Sequence, residues 1–395
     1  MKPVLFVTSH APPDRVGAFA RLHAQENVEF ALFGGRSRHG AGVAGQTPSQ
    51  ALPFPHRRLR QYETAALAAS GDYRAVVSST GGRVALPASW AGTRRARVPL
   101  ILWASLWAHP RSAAHVLSYL ALQRLYRSAD AVVTYGSHVS AYVSAHGAHN
   151  VHIAPQAVDN DFWRAPETTL PRWPATGRPE WPEQAATKFL FVGRPDREKG
   201  VRVLKEAWRT AGLKAPTAAL VIVGVGSSPP WVPAGGAAGR AQDTATSSAA
   251  PAGNANPAGG FQDEVLRMDP VTPVELRNLY AACDVLVVPS IPTRTFREPW
   301  ALVVNEAMNR GLAVIASDAV GAAAGGLVRD GRNGLVVPAG DPRALAGAMR
   351  ALATEPALCA RLGAAGASDV RAFTYEAWAN GFAGALASLG LSLGS

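Results

Sequence analysis

The sequence predicts an α/β protein built from two doubly wound units, and three observations carry that expectation. Short apolar runs alternate with helical patterns from start to finish, the signature of parallel sheets covered by helices on both faces. The pattern restarts after a stretch between Ala165 and Ala186 that is rich in Pro, Trp and Thr and has little periodicity. A chain of 395 residues also exceeds what one compact core commonly supports.

Taken in order, the first-half strands fall at Val4 to Thr8, Val28 to Phe33, Ala75 to Ser78, Leu100 to Trp103 and Ala131 to Thr134. Those of the second half fall at Lys188 to Val192, Ala219 to Val223, Val285 to Val288, Val314 to Ala316 and Gly334 to Val337. This divides the chain into a first domain over 1–165, a linker over 166–186 and a second domain over 187–370. Residues 227–260 hold Pro-Pro, Gly-Gly and repeated Ala-Gly pairs with little to bury, and read as a disordered insertion. The segment 371–395 carries an amphipathic helix, about Tyr375 to Leu389, expected to pack back toward the first domain.

Composition bounds the function. Cys283 and Cys359 sit in helical or apolar contexts, which suits core thiols in a reducing compartment rather than a disulfide framework. The apolar start is too short for a secretory signal, and no run reaches about eighteen apolar residues, so a soluble, cytoplasmic protein is expected. The net charge of +11, with clusters at Arg57, Arg58, Arg60 and at Arg94, Arg95, Arg97, favours anionic substrates or an anionic membrane face. A solvated basic surface accounts for it equally well.

Two glutamates, Glu298 and Glu306, stand eight positions apart in Arg297-Glu298-Pro299-Trp300-Ala301-Leu302-Val303-Val304-Asn305-Glu306. Pro299 fits the first turn of a helix, which is predicted to run from there to about Gly311. At about 1.5 Å and 100° per residue, Glu306 would lie roughly 12 Å deeper and about 80° round the axis. The pair then cannot share a proton or a metal, and suits two separate contacts along an extended ligand. Upstream, Phe191-Val192-Gly193-Arg194 through Lys199-Gly200 reads as a strand, a glycine turn and two cations, the way α/β sheets present positive charge to phosphate.

These blocks, with Glu275 to Ser290 and Gly331-Arg332-Asn333-Gly334, resemble the nucleotide-sugar-binding domain of the family-4 (group 1) retaining glycosyltransferases of GT-B fold, over most of 188–350. The resemblance implies two Rossmann-like domains facing a central cleft, a nucleoside-diphosphate sugar such as a UDP- or GDP-hexose as donor, no cofactor and no metal. By that likeness Arg194 and Lys199 bind the diphosphate, Glu298 contacts the sugar hydroxyls and Glu306 the ribose hydroxyls. Gly193, Trp300, Ala301 and Leu302 line the donor, and transfer runs to a hydroxyl on the leaving group's face. The acceptor would be a saccharide or a lipid-linked glycan, with peripheral contact at the inner membrane face and no role for nucleic acid.

The chain departs from the family in places. Ala301 replaces a glycine, so a methyl group narrows the approach to the sugar. In the first domain only Gly17 remains of a glycine-rich turn, a candidate phosphate contact or an ordinary turn glycine. His109, one turn after Ser105, is the candidate cleft histidine and is counted with Glu298, Arg194 and Lys199 as catalytic. Trp103 and Trp107 read as core or acceptor platform, and the segment Tyr135 to Ser140 as cleft-facing. Gln156 and Ala157 replace Asn and Gly in the segment leading to the linker, where Asp159 caps a turn. A sugar-nucleotide epimerase of the same fold, or a relative that binds without turnover, are the alternatives. No G-x-G-x-x-G turn opens either half and no catalytic triad order, zinc spacing or P-loop is present.

Overall fold

Val4–Thr8 (β1) is buried along its whole length, and only a strand covered on both faces does that. Alternation sends Val4 and Phe6 into one apolar layer and Leu5 and Val7 into the other. A computed structural model describes residues 1–34, 51–111, 113–166, 181–225 and 265–394. The expected insertion 227–260 and most of the expected linker lie outside them.

The first sheet comprises β1, β2 (Val28–Leu32), β3 (His56–Arg58), β4 (Ala75–Ser79), β5 (Leu100–Ala104), β6 (Ala131–Thr134) and β7 (Val151–Ile153). Its order is β3-β2-β1-β4-β5-β6-β7, every pair parallel. The second comprises β8 (Thr187–Val192), β9 (Ala218–Val223), β10 (Val265–Met268), β11 (Val285–Val288), β12 (Ala313–Ser317) and β13 (Leu335–Val337). Its order is β10-β9-β8-β11-β12-β13, again parallel throughout. Each sheet begins in its middle and is wound outward in both directions. The order therefore reverses between β1 and β4 and between β8 and β11, where crevices open at the carboxyl ends of the strands.

Three strands escape the apolar pattern. β3 is an exposed edge of His56, Arg57 and Arg58, whose charges guard the unpaired side of the sheet. β7 is three residues long, and β10 alternates half-buried and buried residues instead of forming a continuous apolar run.

The helices follow local signals. Thr272 caps Pro273–Ala282: its hydroxyl accepts from Glu275 N at 3.3 Å while Glu275 Oε2 accepts from Thr272 N at 2.8 Å. Asp159 caps Asn160–Arg164 by accepting from Phe162 N at 2.9 Å. The last helix, Tyr375–Ala387, lies on the first sheet beside Pro13–Glu26, so the chain end returns to the domain where it began. Trp378 and Phe382, with ring centroids 4.5 Å apart, close an aromatic layer over Phe6, Phe19 and Trp103. Truncating either ring to alanine would cost about 3–5 kcal/mol.

Gly17 is not in a turn. It lies inside Pro13–Glu26, and a β-carbon there would stand 2.3 Å from the Tyr375 ring. The missing side chain is what lets the two helices touch.

Candidate active site

The predicted helix over 299–311 begins later than its proline suggests. Glu298 pairs with Val320 as an isolated bridge, Pro299 to Leu302 are irregular, and the helix is Val303–Asn309. Pro299 cannot nucleate it because Ala301 sits at φ 79°, a left-handed conformation that interrupts any helix. The helical spacing argument for Glu298 and Glu306 therefore falls. The glutamates are separated by a change of backbone, not by two turns of one helix.

Glu298 still comes to the β8/β11 crevice. β8 runs into Gly193 and Lys199, and β11 into Ser290 and the loop that ends in Glu298. Lys199 Nζ donates to Glu298 Oε2 at 2.5 Å, and Ser290 Oγ donates to the same oxygen at 3.4 Å. Ser290 is fixed in turn by Ser317, from the end of β12, whose hydroxyl donates to its carbonyl at 2.5 Å. A glycine makes the close approach possible: a β-carbon on Gly200 would stand 1.9 Å from the Pro289 carbonyl oxygen, while one on Gly193 would crowd the Phe191 ring at 3.1 Å. Arg194 turns instead to Asp196, at 2.9 Å. The two cations assigned to one phosphate thus each hold a carboxylate of their own.

Glu306 accepts from the Tyr280 hydroxyl at 2.8 Å. Burial pushes its carboxyl up to about 7, the Tyr280 hydrogen bond opposes that rise, and Asp14 of the first domain adds to it. Burial also holds Tyr280 as an un-ionised phenol, which keeps it a donor. Tyr280 sits in the core with Trp163 edge-on at 5.6 Å, so its hydroxyl has a fixed position.

The first domain grips the Glu298 segment by its backbone. Trp107 Nε1 donates to the Glu298 carbonyl at 3.1 Å, and His138 Nε2 to that of Pro299 at 3.1 Å. Burial lowers the proton affinity of His138, so the neutral Nε2–H tautomer makes this bond. The Arg297 guanidinium lies 3.9 Å from the centroid of the Trp107 ring. Trp107 is accordingly a junction residue, while Trp103 is core.

Trp300 does not offer its ring to a ligand. The indole is 3% exposed and donates to Asn305 Oδ1 at 2.8 Å, and Asn305 donates to the Gln156 carbonyl at 2.9 Å. The Asn305–Gln156 bond ties the second domain to the first, where Arg15 donates to the Gln156 side chain and lies 5.7 Å from the Trp103 ring centroid. His109 packs edge-on against Tyr119 at 4.9 Å, and His138 is a histidine that reaches the Glu298 segment. The sequence signalled the Tyr135 to Ser140 segment as cleft-facing without singling out His138. Tyr280 and Ser290 lay in a block recognised as a whole, and only the structure shows which of its members touch the glutamates.

Residues 186–355, which hold all of β8 to β13 and both glutamates, match the model of the glycosyl transferases group 1. Over these residues the second domain is similar to the group 1 glycosyl transferases. A D-inositol 3-phosphate glycosyltransferase of Streptomyces avermitilis is 38% identical over 120 residues, 30% of this chain and 24% of that protein. One from Nocardioides sp. is 38% identical over 122 residues, again 30% and 24%. The match spans about a quarter of those relatives. Over the whole chain the fold is GT-B. The Anabaena protein HepE, solved with UDP and glucose, superposes with a TM-score of 0.66 at 14% identity, covering 98% of this chain and 100% of that one. Sucrose-phosphate synthase from Thermosynechococcus elongatus gives 0.65 at 19% identity, over 98% and 99%. At such identities these neighbours speak for the fold alone, and the likeness to the group 1 glycosyl transferases rests on 186–355.

Proposed function

We propose that this protein is a retaining glycosyltransferase that moves a hexosyl unit from a nucleoside-diphosphate sugar to a hydroxyl, without a metal or cofactor. The observation that carries the reading is the Lys199–Glu298 pair at the carboxyl ends of β8 and β11, with the Tyr280–Glu306 pair in the same domain, inside the stretch that matches the group 1 glycosyl transferases. In this reading Glu306 accepts from the ribose hydroxyls, and the Tyr280 hydroxyl fixes its orientation. The donor diphosphate draws Lys199 and Arg194 from their carboxylates. Freed from Lys199, Glu298 accepts from sugar hydroxyls and holds the anomeric carbon toward the first domain. As the sugar–phosphate bond breaks, charge grows on the diphosphate, and cations already in place stabilise it without reorganisation. The acceptor hydroxyl attacks on the face the diphosphate leaves, so the anomeric configuration is kept. Gly193, Ala301 and Leu302 approach the donor through their backbone.

The acceptor in this reading is a saccharide or a lipid-linked glycan, met in the cytoplasm at the inner membrane face during glycan synthesis, and the +11 charge supports it. Among the described residues no helix is long and apolar enough to cross a membrane. Thermal unfolding with UDP, GDP, ADP and their glucose conjugates tests the donor assignment, because a ligand of the native state raises its melting temperature. If none of them does so, the proposal fails.

A further inference from the structure

Glu298 is anchored twice, by its side chain and by its peptide, and the two anchors draw on different domains. The carboxylate is held inside the second domain by Lys199 and Ser290. The carbonyl accepts from two donors, Gly321 N of its own domain at 3.1 Å and Trp107 Nε1 of the first at 3.1 Å. The next carbonyl, that of Pro299, accepts from His138 Nε2 of the first domain at 3.1 Å. His138 Nδ1 is buried with no partner among the described residues, so the one proton of the neutral ring serves the Pro299 bond.

Trp107 and His138 have no part in the donor reading, yet they form one packed wedge. Their rings meet edge-on with centroids 5.0 Å apart, and the Arg297 guanidinium covers the Trp107 face. A glycine from each domain lets the wedge close. A β-carbon on Gly136 would stand 3.2 Å from both the His138 and the Trp300 ring, and one on Gly325 would stand 2.6 Å from Trp300 and 2.8 Å from His138 Nδ1. From Ile291 to Leu302 the chain forms no helix and, apart from the Glu298–Val320 bridge, no strand, so its position is set by what touches it.

A carboxylate that meets sugar hydroxyls has to be placed to within about 0.5 Å. Lys199 cannot do this once the donor diphosphate draws it away, and the contacts to the peptide are then what remains beside Ser290. We infer that Trp107 and His138 are positioning residues: by holding the carbonyls of Glu298 and Pro299 they set the Glu298 carboxylate against the donor sugar, so the sugar site of the second domain is complete only while the first is in contact with it. This rests on the donor reading above and adds the dependence of the sugar contact on the first domain.

The test uses the full chain and calorimetric affinities for UDP and UDP-glucose, with the GDP or ADP pair in their place where that is the nucleotide that binds. Trp107→Phe keeps a ring for Arg297 and deletes one N–H, and His138→Phe deletes the other. The bare diphosphate has no sugar, so its affinity should stay within about twofold, while that of the glucose conjugate should fall about fivefold to tenfold in each variant. His138→Gln, whose amide offers an N–H to the same carbonyl, should recover most of the loss. In a Glu298→Gln background Trp107→Phe should weaken the conjugate by less than about twofold further, because it acts through a carboxylate already absent. A packing role would instead lower the melting temperature and weaken both ligands alike. Conjugate affinity unmoved by both phenylalanine variants, equal losses for the two ligands, or additive losses in the Glu298→Gln background overturn the inference and leave the donor reading standing. If none of the nucleotides binds, the donor reading falls first and this inference with it.

Discussion

Lys199 and Glu298 form an ion pair at 2.5 Å in which the carboxylate is the more deeply buried partner. Each therefore sets the state of the other. Lys199→Met leaves a buried carboxylate supported only by a long hydrogen bond from Ser290, and should destabilise the protein by about 1–3 kcal/mol. Glu298→Gln should cost less, because Lys199 can turn toward water. The double substitution should recover about 1 kcal/mol or more relative to the sum, as read from urea denaturation. Glu298→Gln also frees Lys199 for phosphate, so UDP affinity should hold or rise while transfer falls about tenfold to a hundredfold. Additive stabilities would show that the pair is not coupled.

Ala301, where the resemblance leads one to expect glycine, sits at φ 79°. A left-handed alanine costs about 1–2 kcal/mol, of which glycine would return part while adding freedom to the unfolded chain worth about 0.4–1 kcal/mol. Ala301→Gly should therefore stabilise the protein by roughly 0.5–1 kcal/mol. Removal of the methyl group should also let the variant accept a wider set of donor hexoses. A destabilised Ala301→Gly would contradict the strain.

The same residue explains where sequence reasoning stopped. Ten strands were legible because each is a mostly apolar run, and all of them but the half-buried edge strand β13 are largely buried between two helical layers. β3 was not, being three exposed polar residues at an edge. The helix start after Glu298 was misread because Pro299 is a correct local signal overruled two residues later by a backbone angle no propensity encodes. The site was legible as a set of residues but not as a set of contacts. Lys199 meets Glu298 across ninety-nine positions, and Trp107 reaches the Glu298 carbonyl across one hundred and ninety-one, and neither distance leaves a local pattern.

Gly17 offers a separate test of structure against resemblance. Its absent side chain is filled by the Tyr375 ring, whose hydroxyl donates to the Asp14 carbonyl at 3.2 Å. Gly17→Ala should thus push the last helix off the first domain and cost about 1–3 kcal/mol. Pairing it with Tyr375→Ala should make the added methyl group nearly neutral, measured by chemical denaturation. If Gly17→Ala instead leaves stability intact and weakens only nucleotide binding, the residue works through phosphate and not through packing.

Glu306 makes the function depend on pH in a direction that can be worked out. Its carboxyl titrates near 7 in the folded chain against 4.5 for a free group. Between those values the folded state keeps a proton the unfolded chain has lost, so stability from this group is full below pH 4.5 and is lost as pH rises through 7. The group is partly open to solvent, which brings the loss to about 2–3 kcal/mol. Hydroxyls of a ribose need the ionised form as their acceptor. UDP-glucose, which has no phosphate titrating in this range, should therefore bind more tightly as pH rises from about 6 to about 8 and then level off. Tyr280→Phe deletes the hydrogen bond that favours the carboxylate and should move the midpoint upward by about half to one pH unit. A role for Tyr280 in packing alone would lower stability without moving that midpoint. An affinity flat across this range would remove Glu306 from the donor site.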